Sequence, residues 1–436
     1  MKNTLRKSVA AAMLLGVSGA ALAQGTISTI AGSGTSGFSG DGGLAVSATM
    51  SNPQGVAVDA AGNVYVADQY NGRVRKVDAT TGMISTFAGG GSSYSYGIAP
   101  TTAHMWQPRN IFINGAGNML VTDHYHDMTF FIDNTTGLLY SRCGSHSQGC
   151  EGDGGDASLA KMELPDAACE DAAGNTYLAD RGCGKIRKVD ATTGIVTTFV
   201  TLAGVSAVFV DPSAPNDLYA AMSYDHKIVK INITSGAVTD FVGNGTAGYS
   251  GDGLESTAAL IGTPSALFID HNHYLYFTDA SYHVVRRINL VTGIIRTIAG
   301  TGTAGYTGDG DQSPLAQLNN PQGIWVDNSG YVYIADAGNN VVRKIKPKGL
   351  KSNGSPMAAK EISLYPNPTT GSFTLATDED LNNTPVTVFN VLGAKVFNAS
   401  MSGNNNVIDL SAQPAGIYTV VFQTESGMHS VKVTRN

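Results

Sequence analysis

Four histidines stand at turn positions where imidazole groups can bind a metal ion or transfer protons. His124 and His126 lie in the segment DHYHD, and His226 and His283 occupy the place that Gly72 holds in an earlier copy of the same motif. Neutral imidazole is a common zinc ligand, and its pKa of about 6.5 suits it to proton transfer. If the four imidazole rings converge, we expect a metal-assisted hydrolase or lyase. If they lie far apart, the four histidines are ordinary exposed turn residues.

Aspartates in four Gly-Asp-Gly segments offer oxygen atoms to a hard cation such as calcium. The segments lack the ligand density of a D-x-D-x-D-G loop, and aspartate often hydrogen-bonds to its own turn. We therefore expect a structural role and predict no resident cofactor, with calcium or zinc as the alternative. The four residues are Asp41, Asp153, Asp252 and Asp309.

Composition limits the classes of structure and partner. The chain has 436 residues with 53 glycines, 14% charged residues and a net charge of −7. Abundant glycine together with valine, threonine and tyrosine favours many short strands and tight turns. A modest negative charge disfavours nucleic acid, whose binding sites are basic.

The first 23 residues have the pattern of a secretory signal peptide. A charged start is followed by the apolar run VAAAMLLGVSGAALA, which ends in a small-residue cleavage site before Gln24. No later segment is apolar enough to predict a transmembrane helix. We expect export from the cytoplasm.

Six copies of one motif follow, beginning at residues 53, 108, 165, 205, 264 and 321. The first copy reads GVAVD, VYVAD, RVRKVD and MISTFAG with turn residues between, which predicts four antiparallel strands. The sixth copy ends after its third strand, VVRKIK, whereas TISTIAG stands alone near the start of the chain. We predict that this N-terminal strand pairs with the last copy and closes a ring.

The core GNVYVAD followed by NGRVRKVD resembles the NHL repeat. The resemblance covers about residues 25–346 and implies an all-β, six-bladed β-propeller, to which we assign residues 24–347. Propellers of this family have varied functions, so the resemblance predicts the fold and not an activity.

A propeller of this topology predicts which residues share one face. The residue after each first-strand proline, or its equivalent, is expected to rim the central channel, and the turns between the second and third strands lie on the same side as the connectors. The candidate ligand-binding residues on this face are Gln54, Arg109, Asp166, Arg181, the four histidines and the four Gly-Asp-Gly aspartates. No G-x-S-x-G or H-E-x-x-H motif is present, and no catalytic residue is predicted.

The four cysteines permit disulfides in an exported protein. Cys143 ends a fourth strand and Cys150 follows in the next connector, so we predict a Cys143–Cys150 bridge. Cys169, in the middle of an inner strand, is expected to be free and packed as a small apolar residue.

Beyond the last copy, residues 348–360 read as a linker, and residues 361–436 show alternating apolar residues that predict a small β-sandwich. This segment resembles the type A C-terminal sorting domain of the type IX secretion system. The residues that carry the resemblance include Tyr365, Pro366, Asn367, Pro368, Gly371, Pro414, Gly416 and Tyr418.

The sequence therefore predicts a binding scaffold that is secreted or displayed at the outer cell surface of a Bacteroidota-type cell. The sorting domain implies the type IX secretion machinery as a partner, and the ligand is expected to be an extracellular protein, peptide or glycan. The alternative is the metal-assisted hydrolase or lyase described above.

Overall fold

The computed structural model describes residues 25–346 and 363–436, apart from 366, 378–380, 382, 392–393, 404 and 425–426. The predicted signal peptide and linker lie outside the described residues. The chain divides into two compact units, one in residues 25–346 and one in residues 363–436.

The first unit begins with strand β1 (Thr26–Ala31), which together with 23 further strands forms six antiparallel sheets of four strands each. Sheet 1 contains β2 (Pro53–Val58), β3 (Val64–Asp68), β4 (Arg73–Val77) and β5 (Ile84–Gly89); sheet 2 contains β6 (Pro108–Ile113), β7 (Met119–Asp123), β8 (Met128–Ile132) and β9 (Leu139–Cys143); sheet 3 contains β10 (Pro165–Glu170), β11 (Thr176–Asp180), β12 (Lys185–Val189) and β13 (Val196–Thr201). Sheet 4 contains β14 (Val205–Val210), β15 (Asp217–Met222), β16 (Lys227–Asn232) and β17 (Val238–Val242); sheet 5 contains β18 (Pro264–Ile269), β19 (Tyr274–Asp279), β20 (Val284–Asn289) and β21 (Ile295–Ala299); sheet 6 contains β22 (Pro321–Val326), β23 (Val332–Asp336), β24 (Val341–Lys346) and β1.

Short 3-10 helices lie in the connectors and turns of this unit. Their bounds are Ala45–Ser47, Gln69–Asn71, Pro100–Thr102, Ala157–Leu159, Ser256–Ala258, Ser313–Leu315 and Ala337–Asn339.

The N-terminal strand closes the last sheet, which confirms the prediction. β1 pairs antiparallel with β24, with Thr26 opposite Lys346 and Ile27 opposite Ile345. Ile27 is fully buried, and its backbone is also hydrogen-bonded to Gly310 and Asp311 in the connector before sheet 6. The first strand is therefore held by residues nearly 300 positions away in the chain.

The first strands of the six sheets contact one another in a closed cycle, from β2 through β6, β10, β14 and β18 to β22 and back to β2. Glycine permits the closest approaches. A Cβ atom at Gly55 would lie 2.7 Å from the carbonyl oxygen of Arg109, and one at Gly323 would lie 2.4 Å from that of Gln54. These inner strands line the centre of the unit.

Four sheets share a buried arginine on their third strand. Arg75, for example, is fully buried, with its guanidinium 2.6 Å from Asp41 and 3.3 Å from Asp68. Arg187, Arg286 and Arg343 make the same contact with the aspartate of the preceding Gly-Asp-Gly segment, at 2.6–2.7 Å. The Gly-Asp-Gly aspartates thus tie each connector to its sheet, which is a structural role.

Sheets 2 and 4 depart from this pattern. In sheet 4, Val229 replaces the arginine and Met222 replaces the strand-end aspartate. In sheet 2, Phe130 replaces the arginine, but the strand-end Asp123 is retained and fully buried. Neither sheet is preceded by a Gly-Asp-Gly segment.

Because the aspartates that end the second strands are buried, we predict that the free energy of unfolding falls as pH rises. Burial raises the pKa of Asp180 from 3.8 to about 7 and that of Asp336 to about 6. A group whose pKa is raised on folding stabilises the fold below its unfolded pKa, and this contribution is lost as pH rises through the folded pKa. We expect the free energy of unfolding to fall between pH 4 and pH 8.

Urea unfolding at pH 4.5, 6 and 8 measures this dependence, with Asp180→Asn as the matched variant. The amide can still accept the N–H of Glu163, which Asp180 accepts at 2.9 Å, but it does not titrate. The decline should be shallower in Asp180→Asn, and parallel curves for the two proteins would contradict the assignment.

The structure corrects the predicted disulfide. Cys150 is bonded to Cys183, with Cα atoms 5.6 Å apart, and both Cys143 and Cys169 are buried as free thiols. Cys143 ends β9 with its side chain in the core, whereas Cys150 lies in a connector that passes over the turn between β11 and β12. The bridge therefore joins this connector to the turn at Cys183.

The second unit has two antiparallel sheets. One contains β25 (Ser363–Tyr365), β26 (Ser372–Ala376) and β29 (Asn405–Asp409); the other contains β27 (Thr384–Asn390), β28 (Lys395–Met401), β30 (Gly416–Thr424) and β31 (Gly427–Arg435). Phe373 of the first sheet and Val388 and Phe422 of the second share one buried core. Of the predicted motif, Asn367 hydrogen-bonds Lys432 and Thr434 of β31, and the Tyr418 hydroxyl donates to the Pro414 carbonyl.

Candidate functional site

A cavity of about 120 Å³ lies among the first strands of the six sheets of the first unit. Its polar lining includes the residue after each first-strand proline, or the equivalent residue of β14, so one side chain comes from every sheet. These residues are Gln54, Arg109, Asp166, Ser206, Ser265 and Gln322. Arg181 and Ser223, from the turns after β11 and β15, also line the cavity, and Asn110 and Thr263 complete the polar lining.

Aromatic side chains form the apolar part of the cavity wall. Phe112, Phe209, Phe268 and Trp325 contact one another in a closed cycle, with ring centroids 4.9–6.4 Å apart. Each stands four positions after the start of its first strand. The site is polar where the strands begin and aromatic further along them.

One buried carboxylate organises the polar lining. The side chain of Asp166 is 2% exposed and lies 2.6 Å from Arg109, 3.0 Å from Arg181 and 2.8 Å from His124 Nδ1. Two guanidinium cations around one carboxylate leave one positive charge uncompensated among the charged residues that line the cavity. Arg109 and Arg181 keep 25% and 22% of their side chains exposed, so their remaining donors can reach a ligand.

Tyr224 extends this lining outward. Its hydroxyl hydrogen-bonds Arg181, whose guanidinium lies 4.9 Å from the centre of the tyrosine ring. The ring is 67% exposed. Sequence reasoning missed Tyr224. The only signal for this residue in the sequence is its place in the β15–β16 turn, next to the residue equivalent to Arg181.

The four predicted histidines do not meet. His226 and His283 sit at a left-handed turn position, φ 54°, where each is linked to the connector of the following sheet. His226 Nδ1 lies 2.7 Å from the Gly262 carbonyl, and His283 Nδ1 accepts the Asn320 N–H. Asp127 and Asn340 make corresponding links to Leu164 and Asn52. His226 and His283 therefore join neighbouring sheets.

His124 and His126 lie on the same turn, but in different environments. His124 faces the cavity lining through Asp166, whereas His126 faces Asp123 and two histidines that sequence reasoning missed, His104 and His146. His104 lies in the long connector between sheets 1 and 2, and His146 lies in the next connector. Connector loops carry no periodicity, so the positions of these two histidines could not be predicted from a repeat register.

Each of the two units contains a segment that matches a known protein family. Residues 25–135 match the Teneurin NHL domain, and residues 363–435 match the Secretion system C-terminal sorting domain. The chain therefore carries an NHL-repeat region and, after it, a type IX secretion sorting domain. It is therefore secreted or displayed at the cell surface. In the described residues, no helix has the length and apolar character needed to cross a membrane.

This chain is similar in sequence to a curated protein that is named for its NHL repeats. It is 23% identical over 334 residues to NHL repeat-containing protein 2 of Bos taurus, an alignment covering 74% of this chain and 41% of the relative. The chain spans less than half the length of the curated relatives it matches.

Two structures from Bacteroides thetaiotaomicron, a structural genomics protein of unknown function and an auxiliary nutrient binding protein, are each 19% identical to this chain. They superpose with TM-scores of 0.59 and 0.55; each alignment covers 73% of this chain, and 74% and 76% of the other. These likenesses support a propeller fold.

Proposed function

We propose that this protein is an extracellular binding scaffold, exported by the type IX secretion system, that holds an anionic end group of its ligand in the central cavity. The observation that carries the proposal is the pair of partly exposed arginines, Arg109 and Arg181, fixed around the buried carboxylate of Asp166. Pre-positioned guanidinium groups recognise carboxylate, sulfate or phosphate oxygens through charge-assisted hydrogen bonds.

The size of the cavity limits what enters it. Its volume is about 120 Å³. Binding sites for whole drug-sized ligands are about 300–1,000 Å³. The proposed occupant is therefore the terminal group of a larger extracellular glycan, peptide or protein.

We also propose a specific architecture for the two units. The six sheets are taken as the blades of one six-bladed β-propeller, since their first strands contact in a closed cycle, and the second unit as a β-sandwich. We propose the divisions 1–23 for a signal peptide, 24–347 for the propeller, 348–360 for a linker and 361–436 for the sorting domain. No chemical step is proposed, because no observation favours the hydrolase or lyase.

Paired probes that differ only in charge test the binding proposal. Thermal melts of the full chain are compared in galacturonic acid against galactose, and in a short peptide with a free C-terminal carboxylate against its C-terminal amide. We expect the acidic member of at least one pair to raise the melting temperature, and Arg109→Gln to weaken its binding at least tenfold, or about 1.4 kcal/mol.

Arg296→Gln is the matched control, because Arg296 is an exposed residue of β21 that does not line the cavity. It should bind the acidic probe like the unchanged protein. Equal effects of the acidic and neutral probes, or unchanged binding in Arg109→Gln, would refute the proposal.

A further inference from the structure

Sheet 2 retains a buried carboxylate but has lost its arginine. In sheets 1, 3 and 6 an arginine lies 3.3–3.8 Å from the strand-end aspartate, and in sheet 5 Arg286 stands at the same strand position. In sheet 4 both residues are replaced by apolar ones. Asp123 of sheet 2 is fully buried, while Phe130 stands at the arginine position. A carboxylate removed from water needs hydrogen bonds or a positive partner. The backbone N–H groups of Trp106 and Gln107 donate to Asp123, and His126 faces it in place of the arginine.

The carboxylate sets the protonation of the His126 ring. His126 Nδ1 lies 3.0 Å from an oxygen of Asp123, which is within ion-pair distance but outside hydrogen-bond geometry. A lone pair so close to a carboxylate would be repelled, so we assign the proton to this nitrogen. Nε2 of His126 then carries the lone pair. A carboxylate behind a histidine is the arrangement that orients metal-binding imidazoles and raises their basicity.

The free nitrogen of His126 faces a second imidazole. His126 Nε2 lies 3.1 Å from His104 Nδ1. Two nitrogens bound to one ion at about 2.0–2.1 Å are about 3.4 Å apart in tetrahedral geometry and about 2.9 Å apart in square-planar geometry. The observed separation lies between these values.

Aromatic and imidazole rings surround this pair. The Tyr94 ring centroid is 5.0 Å from that of His104, and the His146 ring centroid is 5.3 Å from that of His126. His146 Nδ1 is buried without a hydrogen-bond partner, although His146 does not place a nitrogen within reach of both members of the pair. Water would therefore complete the coordination of an ion bound there.

We propose that His104 Nδ1 and His126 Nε2 bind a divalent late-transition-metal ion, of the class of Zn²⁺ or Cu²⁺. The ion would supply the positive charge that arginine supplies in sheets 1, 3, 5 and 6, and would join the long connector of sheet 2 to the β7–β8 turn. This site is separate from the cavity lining and does not depend on the proposed function. Without an ion, His104 Nδ1–H donates a hydrogen bond to His126 Nε2.

Metal titration of the full chain, without a polyhistidine tag and with its disulfide intact, tests the site. Isothermal titration with Cu²⁺ and Zn²⁺ should give one ion per chain, and the electron paramagnetic resonance spectrum of the Cu²⁺ form should show coupling to two nitrogens. His104→Gln and His126→Gln should each weaken binding at least tenfold, and His104→Gln should leave coupling to one nitrogen.

His271→Ala is the control, because His271 is an exposed residue of the β18–β19 turn and is outside this cluster. It should leave affinity and spectrum unchanged. If His126→Gln fails to fold, His104→Gln still decides the question, since His104 is only half-buried. No saturable binding, or binding that survives His104→Gln with its spectrum unchanged, would reduce the pair to a hydrogen bond and overturn the proposal.

Discussion

Ile27→Asp should cost the first unit most of its stability. Ile27 is fully buried between sheet 6 and the connector before it, where it packs with Val285, Leu318 and Ile345. The substitution loses about 1.5–3 kcal/mol of apolar burial and places a charge within an apolar cluster, at an effective cost of several kcal/mol. Native domains are stable by only about 5–15 kcal/mol.

A released β1 would also expose the edge of β24, which is a template for aggregation. Urea unfolding followed by the fluorescence of Trp106 and Trp325 measures the loss, because both tryptophans of the chain lie in the first unit. Ser28→Asp is the matched control, since Ser28 is the exposed neighbour on the same strand, and we expect a change within about 0.5 kcal/mol. Similar midpoints for Ile27→Asp and Ser28→Asp would show that β1 does not hold the unit closed.

Arg75→Val should destabilise the first unit by about 3–5 kcal/mol, the cost of removing one partner of a buried ion pair. Arg75 is fully buried and compensates Asp68, whose side chain has no exposed surface. Burial raises the pKa of the Asp68 carboxyl, so without the arginine this group is left as an unfavourable buried acid. The same urea experiment measures the loss.

Sheet 4 suggests the rescue. It carries Val229 and Met222 at these two positions, so Arg75→Val combined with Asp68→Met imitates a natural arrangement. The double variant should lose less than the single one, although the N–H of Ser51 loses its 2.7 Å acceptor at a cost of about 1–3 kcal/mol. Lys76→Val, on the half-buried neighbour, should cost less than about 1 kcal/mol. A double variant less stable than Arg75→Val would contradict the pairing.

The strands were predictable because their physics is local. Alternating apolar residues, strand-starting prolines and turn glycines recur in each copy, and the partial sixth copy predicted the pairing of β1 with β24. The ring of residues after the first-strand prolines was predictable for the same reason. Each repeat contributes the residue at the same strand position to the cavity lining.

The disulfide prediction was wrong, and several contacts were not predictable, because they involve connectors that lie outside the repeat. Cys150 lies in a connector, and its distance in sequence from Cys143 said nothing about the turn that carries Cys183. His226 and His283 share a turn position with Gly72, which placed them on one face but could not show that each hydrogen-bonds the next connector. Residues at equivalent positions of different repeats lie in different sheets, so their side chains are held apart around the ring.

By itself the sequence determined the all-β class, the number of strands in the first unit, the closing strand and the sorting tail, because each depends on local periodicity or a contiguous motif. The tertiary structure alone decided that Asp166 gathers Arg109, His124 and Arg181, and that His104 meets His126. These contacts join different sheets or a connector to a turn. Their geometry depends on how the sheets pack, which no local pattern specifies.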